Sequence, residues 1–254
     1  MAKVITITLR KGGSGKTTTA VNLASALSKH HKKVLLIDLD PQANATASLG
    51  VDNTKNLPTI TEVLQGVKHL QQVITNPNRG FDFIASNTQL TQLEATLSQD
   101  HTKYAPIIKQ LIEPIKAHYD YIIIDTPPSE SMLTISALVA SDYAVIPTQA
   151  HYLAMHGLQQ ALELINRIQQ AYNTNVVTLG IVPTMVQSGT NMAELLVDQI
   201  KADYGDIVLP YSIPYTIRIT ESQLAGEPIL DYEPAHPASI AYLQLAKHIN
   251  EVTK

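Results

Sequence analysis

The 254-residue chain is 44% hydrophobic, carries 18 Lys and Arg against 22 Asp and Glu, and has no cysteine. Its length suits one large folded core or at most two, and the missing cysteines exclude disulfides, thiolate metal sites, iron–sulfur clusters and cysteine nucleophiles together. The net charge of −4 is uneven, with 13 cationic and 8 acidic residues over 1–116 but 5 and 14 over 117–254, so a generally basic nucleic-acid binder is not indicated.

The first apolar run, 3–9, reads as a strand that starts almost at the N-terminus, which is no signal peptide. No later run approaches the ~20 apolar residues of a membrane span. Directly after that strand stands Lys11-Gly12-Gly13-Ser14-Gly15-Lys16-Thr17-Thr18, and a helix pattern follows over 16–30. A strand feeding a glycine-rich turn that opens a helix is the setting of a phosphate-binding loop. Gly12, Gly13 and Gly15 free the backbone to bring N–H groups close to a ligand. Lys16 can reach phosphate oxygens, and the Thr17 hydroxyl can ligate Mg²⁺. The usual first glycine of such a loop would fall at position 10, where this chain has Arg10, so the match is to the variant K-G-G-x-G-K-[ST].

The second strand, 34–39, runs into Asp38-Leu39-Asp40-Pro41-Gln42-Ala43-Asn44. Ligands of an open α/β sheet sit beyond the carboxyl ends of its strands, so both aspartates face the phosphate loop. Asp38 is assigned to the metal shell and Asp40 to orienting the water that attacks phosphorus. Residues 41–80 are the least regular stretch, with one helix over 59–66. A third strand over 81–85 and helices over 88–98 and 103–118 follow. The fourth strand, 120–125, ends Ile124-Asp125-Thr126-Pro127-Pro128-Ser129. Apolar residues closed by an aspartate form a Walker B arrangement, in which Asp125 holds Mg²⁺. Strands over 142–148 and 177–183 and helices over 156–172, 190–204, 217–225 and 237–252 complete the chain. Runs such as Val34-Leu35-Leu36-Ile37 and Tyr121-Ile122-Ile123-Ile124 are apolar throughout, as in parallel strands covered on both faces. The prediction is a doubly wound, mostly parallel α/β sheet with helices on both faces, a P-loop NTPase formed by a single domain over 1–254. No N-K-x-D guanine-reading motif is present, which favours ATP over GTP.

Taken together, Lys11 to Thr18, Asp38 to Thr46, Ile124 to Ser129, Ile146-Pro147-Thr148-Gln149-Ala150 and Gly226-Glu227-Pro228-Ile229 with Tyr232 and Pro234 resemble the ParA/MinD group of deviant Walker A ATPases over about 220 residues. The resemblance implies a Mg²⁺-dependent ATPase that forms a homodimer with two ATP molecules sandwiched between the protomers. Lys11 then reaches the partner's phosphates, Lys16 and Asp40 serve catalysis at home, and Lys11 to Thr18 hold the nucleotide. It places Pro214 and Tyr215, in the segment 213–216, and the loop 183–185 near the base. It also implies stimulation by a small adaptor protein, ParB-like or McdB-like.

Within that group the absence of cysteine removes the nitrogenase-reductase branch, the iron–sulfur carriers and the cobyrinate amidating synthases. The tail 243–254 has a thin cationic face and no bulky aromatics, unlike the membrane helix of MinD-like members, so no membrane partner is expected. What is left is a cytoplasmic, nucleoid-associated ATPase that binds nonspecific double-stranded DNA and positions or segregates a plasmid, a chromosome or a carboxysome. The loop 186–190 lacks the arginines that members often carry there, so the DNA contacts fall to Arg218, Lys201 and Lys247. The competing reading is a metabolic ATP-dependent ligase or synthetase of the same fold, acting on a small carboxylate.

Overall fold

The structure, a computed structural model, describes residues 1–51, 57–151, 154–172, 174–187 and 191–254. Its scaffold is a six-stranded sheet in the order β3-β2-β4-β1-β5-β6, with every pairing parallel. The strands are β1 (Lys3–Ile7), β2 (Val34–Asp38), β3 (Asp82–Ile84), β4 (Tyr121–Asp125), β5 (Tyr143–Gln149) and β6 (Val177–Thr184). All six lie where the apolar runs predict.

Strand side chains alternate between faces, and the two faces feed two cores. Val4, Leu35, Ile37, Ile122 and Ile124 enter one, which is completed by Leu133 and Leu138 of α7 (Met132–Ala140) and Leu158 and Ile165 of α8 (Ala154–Tyr172). Ile5, Ile7, Leu36 and Ile123 enter the other. There they meet Leu23 and Leu27 of α1 (Lys16–Lys29) and Leu245 and Ile249 of α12 (Pro237–Val252). Burial on both faces is why these strands are apolar without alternation. The remaining helices are α2 (Asn44–Ser48), α3 (Ile60–Leu64), α4 (Leu90–Leu97), α5 (His101–Tyr104), α6 (Ile107–Ile112), α9 (Asn191–Tyr204), α10 (Ile217–Leu224) and α11 (Ile229–Tyr232).

Three departures from the sequence reading have physical causes. The helix expected over 103–118 is broken: Pro106 precedes α6, Pro114 starts a 3-10 segment over 113–118, and neither proline can donate to a helical ladder. Helix α7 was not expected at all; every residue of Met132–Ala140 is buried, so no polar stripe marks it. The five-residue α2 is also additional, and it depends on a tertiary cap described below. The predicted loop 186–190 falls partly outside the described residues, which there end at Gln187. Among the described residues no helix is long and apolar enough to cross a membrane.

The order β2-β4-β1 puts the carboxyl ends of three central strands side by side. In register, Asp38 of β2 pairs with Asp125 of β4, and Asp125 pairs with Ile7 of β1. The three sequence motifs, far apart in the chain, therefore converge at one edge of the sheet.

Candidate active site

The loop between β1 and α1 closes around a cavity of about 650 Å³, lined by Gly12 to Thr18, Asp40, Gln42, Asn44, Pro128, Met185 and one face of α10. Gly13 and Gly15 have φ of 71° and 85°, the left-handed region that favours glycine. Gly15 is the N-cap of α1 and has no side-chain cap, so the loop and helix start present backbone N–H groups to the cavity. The loop is braced from both sides. Thr184 Oγ1, at the end of β6, donates to the Ser14 carbonyl at 3.0 Å, and Ser14 Oγ donates to the Lys11 carbonyl at 3.2 Å.

Lys16 is buried and its Nζ donates to the Lys11 carbonyl at 3.0 Å. Burial lowers its pKa, while Asp125 and Asp40 pull it back up. Lys11 is half-buried at the lip of the loop. Gly157 of α8 packs near the root of that side chain, where an added Cβ would make ordinary van der Waals contact with the Lys11 Cβ at 3.7 Å.

The three aspartates have different surroundings. Asp38 is fully buried; its Oδ1 accepts from Asp40 N at 3.0 Å, and its Oδ2 accepts from Thr46 N at 3.0 Å and Thr46 Oγ1 at 2.8 Å. It shapes the turn after β2 and ties down α2, and burial pushes its carboxyl up to about 6 against those hydrogen bonds. The metal-shell role expected for Asp38 has only the one acceptor site that these three donors leave on its oxygens. Asp40 lines the cavity, with Oδ1 accepting from Gln42 N at 2.9 Å. Asp125 is fully buried, and neither of its oxygens has a well-formed hydrogen bond. Burial and the Asp38 charge raise its pKa well above the carboxylate range, while the nearby Thr17 hydroxyl and Lys16 ammonium oppose the rise.

A buried carboxylate with two unpaired oxygens is costly. A divalent cation beside it would satisfy both, and Thr17 supplies the hydroxyl that Mg²⁺ takes in phosphate loops. The residues present thus fit Mg²⁺, held by Thr17 and Asp125.

A second cavity, of about 160 Å³, opens off the first and shares Gly15, Thr18, Met185, Thr220 and Gln223 with it. Its own wall includes Thr184, Pro214, Tyr215, Thr216 and Tyr242. Residues 183–186 and 213–215 are held together by backbone bonds, Ile213 N to Pro183 O at 2.8 Å, Val186 N to Ile213 O at 3.1 Å and Tyr215 N to Val186 O at 3.0 Å. Pro214 and Tyr215, which the resemblance places near the base, thus share a cavity wall with Gly15 and Thr18 of the phosphate loop. Gln223 was not singled out from the sequence. It donates to Thr18 Oγ1 at 3.2 Å and lines both cavities. Its one sequence signal is the spacing Thr220, Gln223, Leu224 along one face of α10.

The cations named for DNA are not equivalent. Arg218 pairs with Glu221 at 2.8 Å and Glu233 at 3.3 Å, so its charge is shared by two carboxylates. Lys201 on α9 and Lys247 on α12 are exposed.

A family model described as an AAA domain matches residues 2–178. The chain is 38% identical over 250 residues to the sporulation initiation inhibitor protein Soj of Bacillus subtilis, covering 98% of each. The chain belongs to the ParA/MinD family of P-loop ATPases. The chromosome partitioning protein ParA of Caulobacter vibrioides is 34% identical, with 97% of this chain and 93% of that one covered. Among solved structures, the ATP complex of an McdA variant from Cyanothece superposes with a TM-score of 0.88 at 25% identity, covering 98% and 96%. A cobyrinic acid a,c-diamide synthase from Mycobacterium smegmatis, with bound ATP analogue and magnesium, gives 0.85 at 29%, covering 100% and 98%. As a ParA/MinD-family protein this chain is an ATPase, with ATP and Mg²⁺ as its cofactors.

Proposed function

We propose that residues 1–254 act as a single-domain positioning ATPase, which forms an ATP-sandwiched homodimer, binds nonspecific DNA on the nucleoid, and moves or spaces a cargo through adaptor-stimulated hydrolysis. The observation that carries this reading is the half-buried Lys11 at the start of the loop whose Lys16 lines the cavity with Asp40, with Asp125 buried close to Lys16. A second lysine there has no evident task within one protomer. Across a dimer it meets the transition-state charge on the partner's phosphates, as an arginine finger does.

In this reading the glycine loop N–H groups hold the β- and γ-phosphates, and Lys16 leaves the Lys11 carbonyl to meet them. Asp40 accepts a proton of the attacking water and aims its lone pair at the γ-phosphorus; the P–O bond to ADP breaks and phosphate leaves. Mg²⁺, held by Thr17 and Asp125, neutralises phosphate charge when bound. Asp38 acts behind them by fixing the turn that carries Asp40. Pro128, which follows Asp125 on the cavity wall, belongs to the segment that senses whether the γ-phosphate is present. The second cavity receives the base, between Met185 and Pro214-Tyr215.

DNA contact rests on Lys201 and Lys247, with Arg218 contributing the part of its charge that Glu221 and Glu233 leave. A dimer doubles these contacts, and each adds to a salt-sensitive, sequence-independent affinity. The relatives named for chromosome partitioning and the McdA likeness support a cargo of plasmid, chromosome or carboxysome type. The test is a gel shift on nonspecific duplex with ATP, ADP or no nucleotide at two salt concentrations. ATP-dependent, salt-sensitive binding is expected. A dimer that binds no DNA in any state overturns the DNA part of the reading.

The synthase likeness favours a second reading, ATP-dependent activation of a small carboxylate. It predicts that a small carboxylate raises ATP turnover and that DNA leaves it unchanged.

A further inference from the structure

The half-buried imidazole of His236, the N-cap of α12, joins two helix starts. Its Nδ1 lies 3.1 Å from Ala238 N, and its Nε2 lies 3.3 Å from Thr216 Oγ1, the N-cap hydroxyl of α10. A backbone N–H can only donate, so Nδ1 carries the lone pair and the ring proton sits on Nε2. That proton is donated to Thr216 Oγ1, which also accepts from Arg218 N at 3.1 Å. With both lone pairs engaged, the Thr216 hydroxyl keeps one capacity, to donate its own proton. Thr216 lines the smaller cavity beside Tyr215.

We propose that His236 is a positioning residue for nucleotide recognition: through its Nε2–H it holds Thr216 as a hydrogen-bond donor in the wall of the smaller cavity. The inference rests on the reading that this cavity takes the base.

The test uses the full chain with Mg²⁺, and compares ADP with inorganic tripolyphosphate by calorimetry. In H236S, serine still caps α12 but cannot reach Thr216. H236S should bind ADP about fivefold more weakly, as loss of one hydrogen bond implies, and bind tripolyphosphate as the wild type does. ¹⁵N spectra of the histidines should show His236 protonated at Nε2. Unchanged ADP affinity in H236S, equal losses for both ligands, or an Nδ1-protonated ring would overturn the proposal. A wild type that binds tripolyphosphate but gains nothing from the adenosine moiety would overturn the base-cavity reading beneath it.

Discussion

Lys16 and Asp40 line the same cavity, but substitution should separate them. Lys16→Ala removes the buried ammonium that meets the phosphates and should abolish ATP binding in equilibrium dialysis. Asp40→Ala leaves the loop, Lys16 and Asp125 in place, so ATP should bind nearly as in the wild type while turnover falls by about 100-fold or more. Rapid turnover by that variant would remove Asp40 from the chemistry. Asp38 and Asp125, neighbours across β2 and β4, should diverge as well. Asp38→Asn places an amide where three donors converge and should destabilise the apo protein. Asp125→Asn replaces a carboxylate whose oxygens are unpaired, so it should raise the apo melting temperature and abolish the effect of Mg²⁺ on it.

At the scale of elements, the link between α2 and α10 is a backbone contact. Gly226 ends α10 with φ of 74°, and a Cβ there would stand 2.9 Å from the Gly50 Cα, just beyond α2. Arg79 braces the same turn through Glu227 at 3.0 Å and the Gly226 carbonyl at 3.1 Å. Gly226→Ala combines left-handed backbone strain with a clash against main chain and should cost about 3 kcal/mol in urea unfolding. On the outer side of α10, removing the carboxylates that share Arg218 should help DNA binding. If the DNA reading holds, Glu221→Gln with Glu233→Gln should tighten the ATP-state gel shift and steepen its salt slope by about 1 for each further phosphate neutralised. An unchanged slope would exclude Arg218 from the DNA face.

These elements differ in how visible they were in the amino-acid sequence. The strands announced themselves because burial on two faces demands unbroken apolar runs, and the phosphate loop did so because its chemistry is contiguous. Helix α7 was hidden by the same full burial, since a helix without a polar side has no period to read. Helix α2 was hidden because Asp38, six residues before it, organises its first turn through Thr46. Asp40 and Asp125 were legible as strand-end carboxylates, whereas the engagement of Asp38 by three donors depends on a turn that only folding forms. The smaller cavity joins the end of β6, the segment 213–216 and α10, so for Gln223 the helical spacing alone could not reveal which site it faces.

For the whole molecule, the site is a concentration of acid in the interior. Asp38 is pushed up to about 6 from an ordinary 3.8, and Asp125 is raised as well. The folded protein therefore binds more protons than the unfolded chain between these values, and stability falls as pH rises through that window. For Asp38 the contribution is on the order of 2–3 kcal/mol, present below about pH 4 and lost above about pH 6. The melting temperature of metal- and nucleotide-free protein should drop between about pH 4 and about pH 6, and Mg²⁺ with ADP should raise it most at the upper end. A flat profile would mean that the carboxylates are relieved by some other group.

The end of β6 has a consequence of its own. Thr184 holds the phosphate loop by its side chain, and the next residue, Met185, lines with 213–216 the smaller cavity that we propose for the base. Both jaws of a caliper are thus cut from one rod. The span between triphosphate and purine cannot widen by a shift of this strand, because both contacts travel with it. Ligands are gauged by length as well as by shape: a nucleoside with too few phosphates can seat one end or the other, but not both.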